Sequence, residues 1–147
     1  PLNEENLESC TLATIKHGRH MLASDLESIL DLMNSVSRTT GSFFSKYDIW
    51  LTPVMTSPPI KLGILNANAP NLTVESWFDQ LFTHIPFTPL YNQTGLPAMT
   101  VPLCWSSKNL PIGIQFGARL GDESTLFQLA GQLERSYSWH HYKPQFN

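Results

Sequence analysis

Three short apolar runs constrain the fold of this chain more than any other feature. They are "IWL" at 49–51, "AMTVPL" at 98–103 and "IGIQFGA" at 112–118. Near-continuous apolar runs of this length are typical of strands that are covered on both faces. Pro53 ends the first run, and Pro97 and Pro102 bracket the second, because proline cannot donate a hydrogen bond to a strand ladder. Three strands make a poor sheet by themselves, so we expect them to be part of a larger sheet.

Hydrophobic periodicity predicts four helices around these strands. In the last three of them apolar residues recur on one helix face, and Gly18 is a plausible stop for the first. The predicted helices cover about Glu4 to Gly18, Ser24 to Lys46, Val74 to Phe82, and "GDESTLFQLAGQLERS" at 121–136. Ser24 with Glu27 matches the capping-box pattern, and Asp122 is the predicted cap of the last helix.

The remaining segments show no helical or strand period. We predict an irregular arm over 54–73, an irregular stretch "IPFTPLYNQTGLP" over 85–97, and an irregular tail over 138–147. The segment "SSKNLP" at 106–111 predicts a turn that pairs the second and third strands as a hairpin. Helices layered on short apolar strands indicate an α/β fold.

Composition excludes some classes of partner. The net charge is −3 and there is no long basic run, so nothing favours nucleic acid as a partner. No apolar run is long enough to span a bilayer, and no signal peptide opens the sequence, so we expect no membrane partner. The two isolated cysteines fit reduced thiols, which predicts a cytoplasmic protein. Because the chain begins with Pro1 rather than Met, we expect it to be processed or, in preference, cut from a longer protein.

Three groups of potentially reactive side chains are better explained by structural roles than by catalysis or metal binding. Ser106, Ser107 and Lys108 place a nucleophile beside a base, but no glycine-rich elbow follows, which favours a polar turn. Adjacent histidines at 140 and 141 lack further ligands nearby, which favours a solvated tail over a metal site. Cys104 ends a strand with no histidine beside it, so we predict a small core residue.

The polar cluster Asn92, Gln93 and Thr94 stands before Gly95, at the head of the second predicted strand. An asparagine at such a change of direction can bond its own backbone. The same group could instead face a ligand cleft at the end of the strand. The residues alone leave both interpretations open.

The order of three segments resembles the amidase signature family. The segments are "YDIWLTPVMTSPP" at 47–59, "FTPLYNQTGLPAMTVPL" at 87–103 and "LPIGIQFGARLGDESTLFQLAGQLE" at 110–134. The resemblance extends from about Leu7 to Tyr137 and is to the C-terminal third of these enzymes. Within the family, the segments around the strands are most similar to those of bacterial 6-aminohexanoate-cyclic-dimer hydrolases.

The resemblance implies that the chain is the C-terminal portion of one amidase domain, with strands of a mixed central sheet flanked by helices. Family members hydrolyse amides with a serine nucleophile, a second serine in a cis peptide and a lysine, without metal or organic cofactor. Those groups lie in a glycine- and serine-rich region upstream of the matched part, so no residue here is assigned a catalytic role. The resemblance implies that Phe87, Tyr91 and Asn92 line the substrate cleft.

Several expectations about partners follow from the resemblance. The implied partners are the N-terminal remainder of the amidase and a small-molecule amide substrate, and the isolated chain is predicted to be inactive. Strand edges left open would pair with a second copy, so the isolated chain is predicted to be dimeric or aggregation-prone. Two alternatives remain: a subunit of a glutamyl-tRNA amidotransferase built on the same fold, and a non-catalytic binding module.

Overall fold

The structure is a computed structural model that describes residue 3 and residues 5–142. The predicted helix start at Glu4 and the last five residues of the predicted tail lie outside the described residues. The chain divides into two compact units. The first comprises the chain up to Asn34 together with Thr56–Pro86, and the second comprises Ser35–Met55 together with the chain from Phe87 onward.

The first unit contains helices and an irregular arm. Its helices are α1 (Ser9–Gly18), the first part of α2 (Ala23–Phe44) and α3 (Val74–His84). Helix α1 packs against α3. The arm that precedes α3 has no regular structure, as predicted, and backbone hydrogen bonds hold it: Cys10 N donates to Ala67 O at 2.9 Å, and Thr56 N donates to His84 O at 3.1 Å.

The capping box predicted at the start of α2 is wrong. The helix begins at Ala23, so Ser24 lies inside its first turn. The Asp25 carboxylate instead accepts a hydrogen bond from Leu22 N at 2.7 Å, which satisfies one of the free N–H groups at this helix end. A capping box does occur on α3, where Thr73 Oγ1 accepts from Ser76 N at 3.2 Å and Ser76 Oγ accepts from Thr73 N at 3.0 Å.

The apolar stripe of α2 is exposed along its first half. Leu26 is 56% exposed and Leu30 is 50% exposed. In contrast, Thr40 and Phe44 near the end of the helix are buried. Periodicity correctly predicted a helix, but it does not by itself show what covers the apolar face.

The second unit is built on a three-stranded antiparallel sheet. The strands are β1 (Trp50–Pro53), β2 (Ala98–Trp105) and β3 (Pro111–Gly117), in the spatial order β1-β3-β2. The predicted hairpin between β2 and β3 is confirmed, and its register has one irregularity between Pro102 and Cys104. With helices packed on short strands, the α/β fold class is also confirmed.

The two faces of the sheet differ in chemistry because side chains alternate along each strand. On one face, Val101 and Phe116 form a buried core with Leu126 of α5 (Glu123–Ser136). On the opposite face, Thr52 and Thr100 are both paired in register with Gln115. We refer to Thr52, Thr100 and Gln115, with Gly113 and Gly117 between the side chains, as the polar sheet face.

Two segments predicted to be irregular contain short helices. Helix α4 (Pro89–Thr94) lies within 85–97, and a 3₁₀ turn, Trp139–His141, lies within the tail. Trp139 packs against the apolar core, which orders this part of the tail. Proline content suggested irregular structure before β2, but proline is well tolerated in the first turn of a helix, where its missing N–H is not needed.

The predicted cap of α5 has a different set of partners. Asp122 is the residue before the helix, but its carboxylate makes no capping bond to the backbone. It accepts hydrogen bonds from the hydroxyls of Ser124 at 3.0 Å and Thr125 at 2.8 Å. These two hydroxyls hold the pKa of the Asp122 carboxyl below its usual value, and the Thr125 hydroxyl has the larger effect. The Arg119 guanidinium lowers this pKa by a smaller amount.

Candidate functional site

The segment from Phe87 to Thr94 contains all three residues predicted to line a cleft. Pro89 supplies the first residue of α4, because its fixed φ suits a helix start. Gly95 ends the helix with a φ of 70° and donates its N–H to Tyr91 O at 3.0 Å. Glycine adopts this left-handed conformation without strain, so Gly95 reverses the chain into β2.

The structure places the three predicted residues in different surroundings. Phe87, before the helix, is half-buried, and Asn92 is exposed. Tyr91 is buried, with 7% of its surface exposed. Asn92 follows Tyr91 directly, and a helix turns by about 100° per residue, so their side chains leave α4 in different directions.

Tyr91 packs against the polar sheet face at Gly117. A Cβ atom placed on Gly117 would lie 2.6 Å from Tyr91 Cζ, and closer still to Cε1 and the hydroxyl oxygen. No real side chain tolerates that contact with a ring. Glycine is therefore required at 117 by the approach of the tyrosine ring.

The Tyr91 hydroxyl is buried without a hydrogen-bond partner among the described residues. Burial raises the pKa of the Tyr91 phenol, because a phenolate would be poorly solvated there. The Gln115 side chain beside it opposes this shift in pKa, although the pair does not reach ordinary hydrogen-bond geometry. Gln115 is itself buried and donates from Nε2 to Thr52 Oγ1 at 3.4 Å.

A cavity of about 440 Å³ lies beside the end of α4. Its lining includes hydroxyl, apolar and guanidinium groups, among them Ser37, Phe44, Thr94, Leu96, Arg119 and Leu120. The three predicted cleft residues do not line it. Arg119 pairs at 3.3 Å with both Asp48 and Asp122, so its charge is already compensated.

The structure supports two of the three structural interpretations of reactive side chains. Ser106 is a turn residue, because its Oγ accepts hydrogen bonds from Lys108 N at 3.3 Å and Leu110 N at 3.1 Å. The two histidines of the tail lie at the surface. The prediction for Cys104 is wrong, since this residue is exposed rather than in the core. It follows the register irregularity after Pro102, which disturbs the alternation of side chains along β2.

Sequence reasoning missed Gln115 and Gly117. The signal was present in "IGIQFGA", where one amide and two glycines interrupt an apolar strand. A buried amide and two absent side chains at alternate positions mark a face that another group approaches closely.

Within residues 3 and 5–142, no cluster of three or more histidine, cysteine or acidic side chains could hold a metal ion. None of the helices in this described part of the chain combines the length and the apolar character that a bilayer span requires.

Comparison with known proteins decides the family. The family model described as Amidase matches residues 2–127. The chain belongs to the amidase family. A putative amidase, AmiC, of Mycobacterium leprae (strain TN) is 33% identical over 133 residues, which are 90% of this chain and 27% of that protein.

Solved structures and further relatives agree with this family. The structure of 6-aminohexanoate cyclic dimer hydrolase superimposes with a TM-score of 0.87 and 26% identity, covering 99% of this chain and 31% of that one. A glutamyl-tRNA(Gln) amidotransferase polypeptide of Thermodesulfovibrio yellowstonii is 35% identical over 103 residues, which are 69% of this chain and 19% of that protein. The chain thus spans about a quarter of the length of the amidases that it matches.

Proposed function

We propose that this chain forms the C-terminal portion of an amide hydrolase. The observation that carries the proposal is the match along 99% of the chain to part of a 6-aminohexanoate cyclic dimer hydrolase, together with the match to the Amidase family. Both compact units then belong to one amidase domain, and the reactive serines and lysine belong to the rest of the protein. The substrate class we propose is a small linear or cyclic amide.

In this proposal the chain supplies structural support and one wall of the substrate cleft. The sheet and α5 form a rigid base, since a buried apolar core joins them. Phe87 and Asn92 line the cleft, because the first offers apolar surface and the second an exposed amide group that can bond a polar substrate. Tyr91, the third predicted residue, lies in the same segment but has its ring on the sheet.

The test compares the full-length protein with the 147-residue chain. Both are incubated with a panel of linear carboxamides and cyclic dimers of ω-amino acids, and released amine or ammonia is measured. We expect hydrolysis by the full-length protein and none by the isolated chain. Hydrolysis by the isolated chain above the rate in buffer, with contaminants excluded, would overturn the assignment of all reactive groups to the rest of the protein.

A second candidate is a subunit of a glutamyl-tRNA amidotransferase, favoured by the 35% identity over 103 residues. Such a subunit would co-purify with partner subunits and would deliver ammonia to them. The hydrolase is preferred because its structural match covers nearly the whole chain. Purification of the full-length protein from its host decides between them: a single active polypeptide supports the hydrolase, and a complex that is needed for activity supports the transferase.

A non-catalytic binding module is the third candidate. It would require ligand binding by the chain together with the absence of amide hydrolysis in the full-length protein. For location we propose the cytoplasm, supported by the two unpaired cysteines, Cys10 and Cys104, of which the second is exposed. Cell fractionation with an antibody to the full-length protein tests this location.

A further inference from the structure

Helix α4 is short, and the two side chains that the proposed function assigns to the cleft wall depend on its position. Asn92 lies in the helix, and Phe87 lies just before it. It has 6 residues, and its N-cap residue, Thr88, makes no side-chain capping bond. Isolated helices of this length are unstable in water, so tertiary contacts must fix its position. The contact that stands out is the packing of the Tyr91 ring against Gly117 of β3.

We propose that Tyr91 is a positioning residue, which fixes Phe87 and Asn92 at the cleft by packing its ring against the bare backbone of Gly117. This inference rests on the proposed function, because it assumes that residues 87 and 92 contact the substrate. In this proposal Tyr91 acts through the packing of its aromatic ring and not through a hydrogen bond of its hydroxyl.

Three observations support a role for the ring rather than for the hydroxyl. The hydroxyl oxygen is enclosed and bonds none of the described residues. The ring occupies the volume that a side chain at 117 would need. The flanking position on the same face, Gly113, is also without a side chain, and a Cβ there would meet Thr100 and Val54 at 3.0 Å. The glycines of the polar sheet face therefore leave room for neighbouring side chains, such as the Tyr91 ring, to lie directly on the backbone.

The proposal predicts how kinetics divide between KM and kcat. A displaced cleft wall weakens substrate binding, whereas the reactive groups lie elsewhere in the protein. We expect Gly117→Ala in the full-length protein to raise KM by about 10-fold with little change in kcat, which corresponds to a loss of about 1.4 kcal/mol of substrate binding shared by the ground and transition states. A merely structural role would reduce the folded fraction, which lowers the maximal rate and leaves KM unchanged.

Substitutions at 91 separate the ring from the hydroxyl. Tyr91→Leu removes the ring and is expected to raise KM in the same way. Tyr91→Phe keeps the ring and is expected to give the parent KM. If Tyr91→Phe raised KM as much as Tyr91→Leu, the hydroxyl would be in contact with substrate and the proposal would be overturned.

Gly131→Ala in α5 is the matched control, because it adds the same methyl group where Arg135 Nη1, at 3.5 Å, is the one nearby side-chain atom among the described residues. We expect no change in KM for this variant. A rise in KM equal to that of Gly117→Ala would show a nonspecific effect of glycine replacement and would refute the inference.

Hydrogen exchange gives a readout that does not depend on turnover. The Gly95 N–H bonds Tyr91 O at 3.0 Å, so its exchange rate reports on the end of α4. Gly117→Ala and Tyr91→Leu should speed this exchange, and Gly131→Ala should not. If the full-length protein cleaves no amide, the proposed function fails. The exchange rate at Gly95 still shows whether the Tyr91–Gly117 contact holds α4 in position. Should Gly117→Ala fail to fold, Tyr91→Leu provides both readouts, and unchanged exchange at Gly95 in that variant would sink the proposal.

Discussion

Replacement of Tyr91 by phenylalanine should stabilise the protein, which is unusual for a change in a buried residue. The hydroxyl is removed from water, and no described residue gives it a compensating hydrogen bond. Leaving such a group unpaired costs about 1–3 kcal/mol, whereas the ring keeps its burial against the sheet. We expect Tyr91→Phe to raise the free energy of unfolding by about 1 kcal/mol, the low end of this range, because the lost oxygen also leaves a small gap.

The pH dependence offers a second measure of the same group. Burial raises the pKa of the Tyr91 phenol above its usual value of 10.0, so the folded state holds this proton more tightly than the unfolded state does. The stability that depends on the neutral phenol is then complete below the unfolded pKa and is lost as pH rises through the folded pKa. In Tyr91→Phe this alkaline loss should be absent.

The assay is urea denaturation of the full-length protein and of Tyr91→Phe, at neutral pH and in steps above pH 10. The difference between the two curves isolates Tyr91 from the other tyrosines. A loss of about 1 kcal/mol or more in Tyr91→Phe at neutral pH would refute the reasoning, because it would show that the hydroxyl has a partner in the full-length protein.

Three further predictions concern the core, a helix end and the sheet edges. Leu126→Ala should lower the free energy of unfolding by about 2–5 kcal/mol in urea denaturation, because the side chain is buried in the core. Phe127→Ala, at the exposed neighbouring residue, should change it little. Equal effects of the two variants would contradict the assigned core. Thr73→Ala removes the cap of α3 and should lower the free energy of unfolding by about 1 kcal/mol, with faster hydrogen exchange at Ser76 N; unaltered exchange there would argue against the cap. The isolated chain should sediment as a dimer or larger species, because β1 and β2 each have an open edge within the described sheet, and a clean monomer at high concentration would count against exposed edges.

The elements with strong local signals were predictable from the sequence. Strand β3, the hairpin and helix α5 follow from an apolar run, a polar turn and a regular helical period. The turn at Ser106 was also predictable, because its hydroxyl bonds backbone groups within four residues. Helix α4 was not, since a six-residue helix has little period and its prolines suggested irregular structure.

For the candidate site, the sequence indicates a segment of the chain but not the contacts that its side chains make. The sequence indicated Phe87, Tyr91 and Asn92, but it could not show that the Tyr91 ring packs on Gly117 of the sheet. Gln115 and Gly117, about 25 residues further along, were missed because their role depends on packing across that distance.

The sequence by itself determined the family and the order of the strands and longer helices, because these depend on motifs and on periods that are local to the chain. Tertiary structure decided which side chains meet: the Tyr91 ring on Gly117, the buried amide of Gln115, and the exposure of Cys104. The physical reason is that close packing is a property of surfaces brought together by folding, and a contact between residues far apart in sequence leaves no periodic trace in either segment.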